Sequence, residues 1–155
     1  MLVRDVMTED PLTLECDSSV NLADELMKFA HIRHLPVVED RRVVGLVTHR
    51  DLVRVLATWP SEEWTSVPVC RIMQHGIVTT RPDESLEVAI SKLLDHKFGC
   101  LPVVDDRDQV VGIVTEADFV KLARALLRAQ ATSAAHVDSR SIASPHSTDE
   151  KRGRP

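Results

Sequence analysis

The sequence predicts an α/β fold in which one small β-α-β-β-α unit occurs twice along the chain. The first observation is an internal repeat: residues 6–40 match residues 72–106 at an offset of 66, and from residue 43 onward the offset is 67. The second observation is that each copy places apolar residues at helical spacing before two β-branched runs, which a polar turn separates. Such a repeat indicates two similar units that share a core.

The elements of each copy follow in a fixed order. A short segment of helical spacing, residues 3–7 and 69–73, precedes a brief strand, residues 12–14 and 77–79. A helix comes next, and its candidate N-caps are Asp17, Ser18 and Asp83. Its apolar face comprises Val20, Ala23, Leu26, Met27 and Ala30 in the first copy and Leu86, Ala89, Ile90, Leu93 and Leu94 in the second.

Two β-hairpins and two final helices complete the copies. The hairpins join residues 35–38 to 43–47 and residues 101–104 to 110–114. Pro36 and Pro102 suit the start of a strand, where a missing N–H is least costly. The final helices begin at Thr48 and Thr115.

These patterns divide the chain into four parts. Residues 1–57 form the first unit, residues 58–68 a linker, residues 69–128 the second unit and residues 129–155 a tail. Trp59 and Trp64 are expected to anchor the linker through apolar contacts. The tail is rich in Ser, Thr, Ala and His and lacks hydrophobic periodicity, so it is predicted to be disordered.

The composition excludes several classes of protein. The chain has 155 residues, of which 43% are hydrophobic, and a net charge of −5. An acidic chain is a poor nucleic-acid binder, and only 3% aromatic residues, with no Tyr, leave no platform for stacking bases. Three cysteines without a C-x-x-C indicate a reduced, cytoplasmic protein rather than a disulfide scaffold or zinc module. Neither a secretory signal nor a membrane-spanning segment is predicted.

The pattern G-h-h-T-x-x-D, where h is apolar, occurs in both copies. Two interpretations of it remain open. Thr followed by Asp three residues later is a capping box at the start of a helix. Alternatively, a Gly within a strand marks close approach by another body, the helix N-terminus favours a phosphate, and the Asp can hold ribose hydroxyls. The residues concerned are Gly45, Thr48 and Asp51 in the first copy and Gly112, Thr115 and Asp118 in the second.

Together these motifs resemble a known family. The run D-V-M-T, the strand L-P-V-V-E and the segment G-L-V-T-x-x-D are similar to those of a CBS domain, and two in tandem over about residues 1–125 resemble a Bateman module. The resemblance implies two repeats packed about a pseudo-two-fold axis, with clefts between them. Those clefts are expected to bind an adenosine-type ligand: AMP, ADP, ATP, S-adenosylmethionine or an NAD-type molecule.

The resemblance also implies roles for individual residues. Asp51 and Asp118 would contact ribose hydroxyls, Thr48 and Thr115 would contact phosphate, Thr13 and Thr79 would border the base, and Arg33 and His34 would reach phosphates. The second copy has Gly99 and Cys100 where the first has Arg33 and His34. The two clefts are therefore expected to be unequal.

Other chemistry finds little support in the sequence. His31, His34 and His49 lack the spacing of metal ligands, so no metal site is predicted. Cys100, just before an apolar strand, is expected to be a buried small side chain rather than a redox thiol. The sequence suggests no nucleophile–base pair, so neither catalytic residues nor an enzyme activity are predicted.

The predicted function is that of a stand-alone regulatory sensor that binds an adenosine-type ligand and modulates an unidentified protein partner. A homodimer is expected, because Leu122, Leu126 and Leu127 follow Phe119 at helical spacing. No contact with membranes is expected. The alternative is a ligand-free interaction or scaffold protein that acts through its surface or tail.

Overall fold

A computed structural model describes the backbone of residues 1–138 and the side chains of residues 1–132. The chain divides into two compact units, Met1–Phe119 and Val120–Pro155. Within the described residues the strands are β1 (Thr8–Glu9), β2 (Leu14–Glu15), β3 (His34–Glu39), β4 (Arg42–Thr48), β5 (Cys100–Val104) and β6 (Val110–Thr115). The α-helices are α1 (Val20–Ala30), α2 (His49–Thr58), α3 (Leu86–His96) and α4 (Glu116–Asp138), and short 3-10 helices cover Val3–Asp5, Ser61–Glu63 and Val69–Arg71.

The last helix corrects the predicted tail. Helix α4 continues to Asp138, so residues 129–138 are helical rather than disordered. The reason is local, because this stretch contains several Ala residues and Ala has the highest helix propensity. The rest of the predicted tail, residues 139–155, lies outside the described residues.

The two hairpins are copies of each other down to their irregularities. In the first, β3 pairs antiparallel with β4, with Val37 opposite Gly45, and the register shifts between Val37 and Val38. In the second, β5 pairs with β6, with Val103 opposite Gly112, and the register shifts at the same point. The same bulge in both copies follows from the same sequence pattern.

The first helix of each copy is capped by a serine. Ser19 Oγ accepts a hydrogen bond from Leu22 N at 3.1 Å, and Ser85 Oγ accepts one from Val88 N at 3.3 Å. The predicted caps Asp17, Ser18 and Asp83 are therefore wrong by one or two residues. Several polar residues precede each helix, and only the chain direction at its start decides which one reaches an N–H group of the first turn.

The brief strands also lie elsewhere than predicted. In the first copy the strand is β2, which pairs parallel with β3 and begins at Leu14. In the second copy only Thr80 forms a bridge, parallel to Val103. A two-residue strand has too few side chains for its periodicity to fix its ends.

The N-terminal segments of the two copies are exchanged between the sheets. We call residues 1–9 the first leader and residues 67–75 the second leader. The first leader contains β1, which pairs antiparallel with β6 of the second copy. The second leader forms the matching bridge to the first copy, where Gln74 lies opposite Leu46. The second sheet therefore takes its strand β1 from the first copy, and the first sheet, whose three strands are its own, receives the Gln74 bridge from the second copy. This reciprocal exchange is the arrangement expected of a pseudo-two-fold axis.

The buried core also follows the repeat. Val20, Ala23 and Met27 of α1 pack with β2, β3 and β4, and Trp59 and Trp64 of the linker lie partly buried against this cluster, as expected. On α3, Leu86, Ala89 and Leu93 are buried. Ile90 and Leu94, which were assigned to the same face, are instead 37% and 71% exposed. The helix buries a narrower stripe than its apolar residues would cover.

Candidate ligand-binding site

The first helix N-terminus of interest is that of α2, where Thr48 and Asp51 form a reciprocal cap. Asp51 Oδ2 accepts hydrogen bonds from Thr48 N at 2.8 Å and from Thr48 Oγ1 at 2.6 Å. Thr48 Oγ1 in turn accepts a bond from Asp51 N at 3.3 Å. Asp51 is only 5% exposed, so this carboxylate is held in one orientation.

The second copy repeats this arrangement at the start of α4. Asp118 Oδ2 accepts hydrogen bonds from Thr115 N at 3.0 Å and from Thr115 Oγ1 at 2.8 Å, and Asp118 is 9% exposed. The capping interpretation of the T-x-x-D pattern is thus correct in both copies.

The two strand glycines make room for the protein itself. A Cβ on Gly45 would overlap Met73 Sδ of the second leader and lie 3.1 Å from Gln74 O. A Cβ on Gly112 would lie 2.7 Å from Met7 Sδ and 3.2 Å from Thr8 O of the first leader. The body that approaches each glycine is therefore the leader of the other copy. The close approach predicted from sequence is present, but it is not by itself a sign of a ligand.

Gln74 connects the second leader to the Asp51 carboxylate. Its side-chain amide donates to Asp51 Oδ1 at 3.3 Å and to Asp51 Oδ2 at 3.2 Å. Its backbone pairs with Leu46, with Gln74 N to Leu46 O at 2.8 Å and Leu46 N to Gln74 O at 3.1 Å. Arg54 Nη1 lies 3.9 Å from Asp51 Oδ1. Gln74 was not identified from the sequence, because the repeat pattern gives no sign that this residue of the second leader contacts Asp51 of the first copy.

Gln74 also lines a narrow pocket with about 30 Å³ of free space. A space of this size holds about one water molecule, so a purine would have to displace side chains to enter. The walls combine Leu46 of the first copy with second-copy residues that are mostly apolar. The pocket is lined by Leu46, Gln74, His75, Ile77, Val78, Phe98, Cys100 and Pro102.

These contacts show how the predicted residues group. Thr48 and Asp51 of the first copy lie with the second leader, and Thr79 directly follows the pocket residue Val78. Thr115 and Asp118 follow β6, the strand that pairs with β1 of the first leader, and Thr13 lies a few residues after β1. Each G-h-h-T-x-x-D segment therefore belongs to the sheet on which the leader of the other copy docks.

The threonines predicted to border the base differ in exposure. Thr13 is exposed, just before β2. Thr79 is partly buried, and its carbonyl oxygen accepts a hydrogen bond from Lys92 Nζ at 3.1 Å.

The two basic residues of the first copy, Arg33 and His34, differ in exposure. Arg33 is exposed, and its carbonyl oxygen accepts a hydrogen bond from His49 N at 2.9 Å. His34 lies opposite Thr48 in the β3–β4 pairing and is partly buried. Burial lowers the pKa of His34, and the Arg33 charge acts in the same direction, whereas the Glu116 and Asp51 carboxylates oppose both. At neutral pH, Arg33 is therefore the charged member of the pair.

The His34 side chain also lies against Gly99 of the second copy. A Cβ on Gly99 would lie 2.9 Å from His34 Nε2, so the glycine at this position leaves room for the imidazole ring. Cys100, the counterpart of His34, is 2% exposed. Burial raises the pKa of the Cys100 thiol to about 12, and the Glu116 carboxylate acts in the same direction. The thiol stays protonated, as expected for a small packed side chain.

The other two cysteines overturn the prediction of a fully reduced chain. Cys16 and Cys70 form a disulfide with a Cα–Cα distance of 5.0 Å. They are 54 residues apart, so only the docking of the second leader brings them together. Among the side chains that the structure describes, no group of three or more His, Cys, Asp or Glu residues is arranged to hold a metal ion. No helix in the same part of the chain is long and apolar enough to span a membrane.

Comparison with known proteins identifies the family. The family model of the CBS domain matches residues 3–58 and 69–125. The chain therefore belongs to the CBS-domain family, and its two repeats form a Bateman module. The resemblance inferred from the sequence motifs is confirmed.

Solved CBS-pair structures agree with this fold. A Vibrio cholerae protein named for acetoin utilization (AcuB) is 34% identical and matches with a TM-score of 0.75, over 85% of this chain and 96% of that one. A CBS domain pair in complex with 5′-methylthioadenosine and S-adenosyl-L-methionine is 29% identical, with a TM-score of 0.73 over 81% and 97% of the two chains. A CBS-pair protein from Arabidopsis thaliana, in complex with AMP, is 30% identical, with a TM-score of 0.69 over 81% and 97%.

Curated relatives are much longer than this chain. A homoserine O-acetyltransferase from Methanosphaerula palustris is 34% identical over 122 residues, which are 78% of this chain and 24% of the relative. An L-aspartate semialdehyde sulfurtransferase from Methanocaldococcus jannaschii is 30% identical over 78% of this chain and 23% of its own length. The chain thus spans about a quarter of each.

Proposed function

We propose that this protein is a regulatory CBS-pair protein that binds an adenosine-type ligand in the clefts between its repeats. The observation that carries the proposal is the buried Asp51 carboxylate, fixed by Thr48 at a helix N-terminus and hydrogen-bonded to Gln74, which also lines a pocket with mostly apolar walls. The solved relatives in complex with AMP, and with 5′-methylthioadenosine and S-adenosyl-L-methionine, support an adenosine compound.

The parts of such a ligand match the parts of this cleft. The adenine would lie between Ile77, Val78 and Phe98 after these side chains move apart, because the pocket holds only about 30 Å³ as it stands. The ribose hydroxyls would donate hydrogen bonds to Asp51 and thereby replace the Gln74 amide. A phosphate would lie near Thr48 at the start of α2, within reach of the exposed Arg33.

The second cleft would take the same ligand less well. Asp118 and Thr115 repeat the cap, but Gly99 and Cys100 replace the basic pair Arg33 and His34. A phosphorylated ligand therefore loses a cationic partner if it approaches this side of the second copy. We propose that the two clefts differ in affinity and that the first copy's Asp51 cleft prefers phosphorylated ligands.

Regulation would follow from linkage between ligand and conformation. A ligand that displaces Gln74 from Asp51 alters the contact between the second leader and the first sheet, so it favours one arrangement of the repeats over another. A protein partner that distinguishes the two arrangements would be modulated. We place this non-enzymatic role in the cytoplasm.

A homodimer would give the helices an apolar partner. Large apolar side chains are exposed on the outer faces of α1, α2 and α3, which is the composition expected of a surface that pairs with a second copy. Light scattering that returned the monomer mass of 17.3 kDa at micromolar concentration would contradict the dimer. The exposed residues are Leu22, Phe29, Val53, Leu56, Val88, Ile90 and Leu94.

The proposed ligand class is tested by calorimetric titration of AMP, adenosine and S-adenosylmethionine into the full chain. We expect at least one of them to bind and to raise the melting temperature, because a ligand of the folded state stabilises it. Arg33→Ala should lower the affinity for AMP more than the affinity for adenosine, since only AMP carries a phosphate anion. If no adenosine compound binds, the ligand-free scaffold becomes the better description.

A further inference from the structure

The Cys16–Cys70 bond ties the second leader to the sheet of the first copy. Cys16 lies in the turn directly after β2, and Cys70 lies in the 3-10 helix Val69–Arg71 of the leader. The Cα–Cα distance of 5.0 Å is within the range that a disulfide requires. Nothing in the proposed binding chemistry uses this bond, so its presence calls for a separate account.

We propose that Cys16 and Cys70 form a thiol–disulfide switch that fixes the second leader on the first sheet and thereby controls the position of Gln74 beside Asp51. The part of the proposal that concerns ligand affinity rests on the proposed function of the Asp51 cleft. The part that concerns the leader stands on the contacts alone.

The second leader carries Cys70 of the disulfide and, four residues later, Gln74, which contacts Asp51. Next to the sulfurs, Val69 N donates to Ser18 O at 2.8 Å and Cys70 N donates to Cys16 O at 3.2 Å. Four residues later, Gln74 N donates to Leu46 O at 2.8 Å, and the Gln74 amide donates to Asp51. Reduction leaves only the non-covalent contacts to hold this segment, so Gln74 can leave Asp51 more often.

The bond is placed where a small thiol can reach it. Cys16 and Cys70 are both partly exposed, whereas Cys100 is 2% exposed and its thiol has a pKa of about 12. In a reducing compartment, disulfides are rare and those that form are usually transient and redox-sensing. A cytoplasmic location therefore favours a switch over a permanent crosslink.

The reaction is an ordinary exchange with a small-molecule disulfide such as glutathione disulfide. The thiolate of one cysteine attacks a sulfur of glutathione disulfide, whose S–S bond breaks and releases one glutathione thiol. The second cysteine then attacks the mixed disulfide and releases the second glutathione. The two protein thiols are oxidised, one glutathione disulfide is reduced to two thiols, and the protons lost by the cysteines appear on the glutathione.

The counterpart position shows that the bond is an addition to the docking and not a requirement for it. In the first leader, Arg4 N donates to Pro82 O at 3.0 Å, which matches the Cys70–Cys16 backbone bond, but no cysteine is present at either position. The first leader docks without a covalent bond, through hydrogen bonds and the fully buried side chain of Val3. It therefore serves as an internal control for the effect of the disulfide.

The test compares the full chain in oxidised and reduced glutathione. Thiol counting should give one free cysteine after oxidation and three after reduction. Hydrogen exchange over residues 67–75 should slow by about tenfold or more on oxidation, and exchange over residues 1–9 should change much less. The double variant Cys16→Ser/Cys70→Ser should behave like the reduced protein in both buffers.

AMP titration of the same samples separates the two claims. We expect the dissociation constant to change at least about threefold between the oxidised and reduced wild type and to stay constant in the double variant. Equal exchange of residues 67–75 in both states overturns the switch, and equal AMP affinity overturns its link to the cleft. If AMP, adenosine and S-adenosylmethionine all fail to bind either form, the proposed ligand function fails, while the exchange data still decide the switch.

Discussion

The two leaders dock on opposite sheets through matching hydrogen bonds, yet they are held differently. Val3 N donates to Glu84 O at 2.9 Å in one junction, and Val69 N donates to Ser18 O at 2.8 Å in the other. Only the second junction is crosslinked, by Cys16–Cys70. Duplication thus preserved the backbone docking, which needs no particular side chain, while the side chains around it diverged.

The first leader's junction differs in a second way, because it contains a cluster of polar side chains from the second copy. Thr80 is 1% exposed and donates a hydrogen bond to Glu84, which also accepts from Lys92 at 2.7 Å. The corresponding residues of the first copy are Leu14, Ser18 and Leu26. Val3 and Val69 are both fully buried, so both junctions contain apolar packing. The second leader's junction adds a covalent bond, and the first leader's junction adds a buried hydroxyl and an ion pair.

The largest expected effect comes from moving the crosslink. Arg4→Cys combined with Pro82→Cys places a cysteine pair at the junction that lacks one, and the Arg4–Pro82 backbone bond of 3.0 Å keeps the two chains adjacent. A second disulfide should stabilise the oxidised protein by about 2–4 kcal/mol and raise its melting temperature by roughly 5–15 °C. Thermal denaturation with and without reductant measures this. Arg4→Cys alone is the control, and an unchanged melting temperature despite bond formation would show that the junctions are not equivalent.

The second prediction compares the two aspartates. Asp51→Ala should lower AMP affinity roughly tenfold to a hundredfold, because it removes charge-assisted hydrogen bonds of about 1.5–3 kcal/mol. Loss of the cap should cost either Ala variant about 0.5–2 kcal/mol of stability. Asp118→Ala should reduce AMP affinity less, because we propose that its cleft, which lacks the basic pair, is the weaker one. If both variants lose stability and neither loses affinity, the aspartates are caps only.

The third prediction concerns the strand glycines. Gly45→Ala should cost about 1–3 kcal/mol in the free energy of unfolding, since the new methyl group meets Met73 Sδ and Gln74 O. Gly112→Ala meets Met7 in the same way but with more room, so its cost should be smaller. Adding Met73→Ala to Gly45→Ala should recover part of the loss. Denaturant unfolding of the oxidised proteins gives these values, and equal costs at both glycines would contradict the closer approach of the second leader.

The smallest expected effect lies in the Glu84–Lys92 pair. Burial alone would raise the pKa of Glu84, but hydrogen bonds from Lys92 and Thr80 outweigh it and lower that pKa below the ordinary value of 4.5. The resulting stability is present above the unfolded pKa and is lost as pH falls through the lowered folded pKa. Lys92→Met should therefore destabilise the protein by about 0.2–1 kcal/mol at pH 7 and by less near pH 3.

The matched control for that variant lies on α1. Lys28 pairs with Asp24 at 2.5 Å, but the Lys28 side chain is 73% exposed, so Lys28→Met should change stability less than Lys92→Met. Urea unfolding from pH 3 to pH 7 measures both. A larger loss of stability for Lys28→Met than for Lys92→Met would contradict the stabilising role of the Glu84–Lys92 pair.

The repeated sequence by itself determined the order of elements, both hairpins and the caps at Thr48 and Thr115. These depend on residues close together in the chain: alternating β-branched runs, a polar turn, and a threonine three residues before an aspartate. Local patterns were less informative at short or marginal elements. The bounds of the two-residue β2 and the end of α4 differ from the predicted ones, since neither segment contains enough periodic apolar residues to define its limits.

Tertiary structure alone decided the exchange of leaders, and with it which residues lie against Asp51 and Gly45. Gln74 reaches Asp51, Met73 covers Gly45, and Cys16 reaches Cys70 only because each leader crosses to the other copy. A repeat shows which segments are alike but not whether a leader docks on its own sheet or on its neighbour's. Both choices satisfy the same local hydrogen bonds, and only the packing of the two copies about their pseudo-two-fold axis distinguishes them.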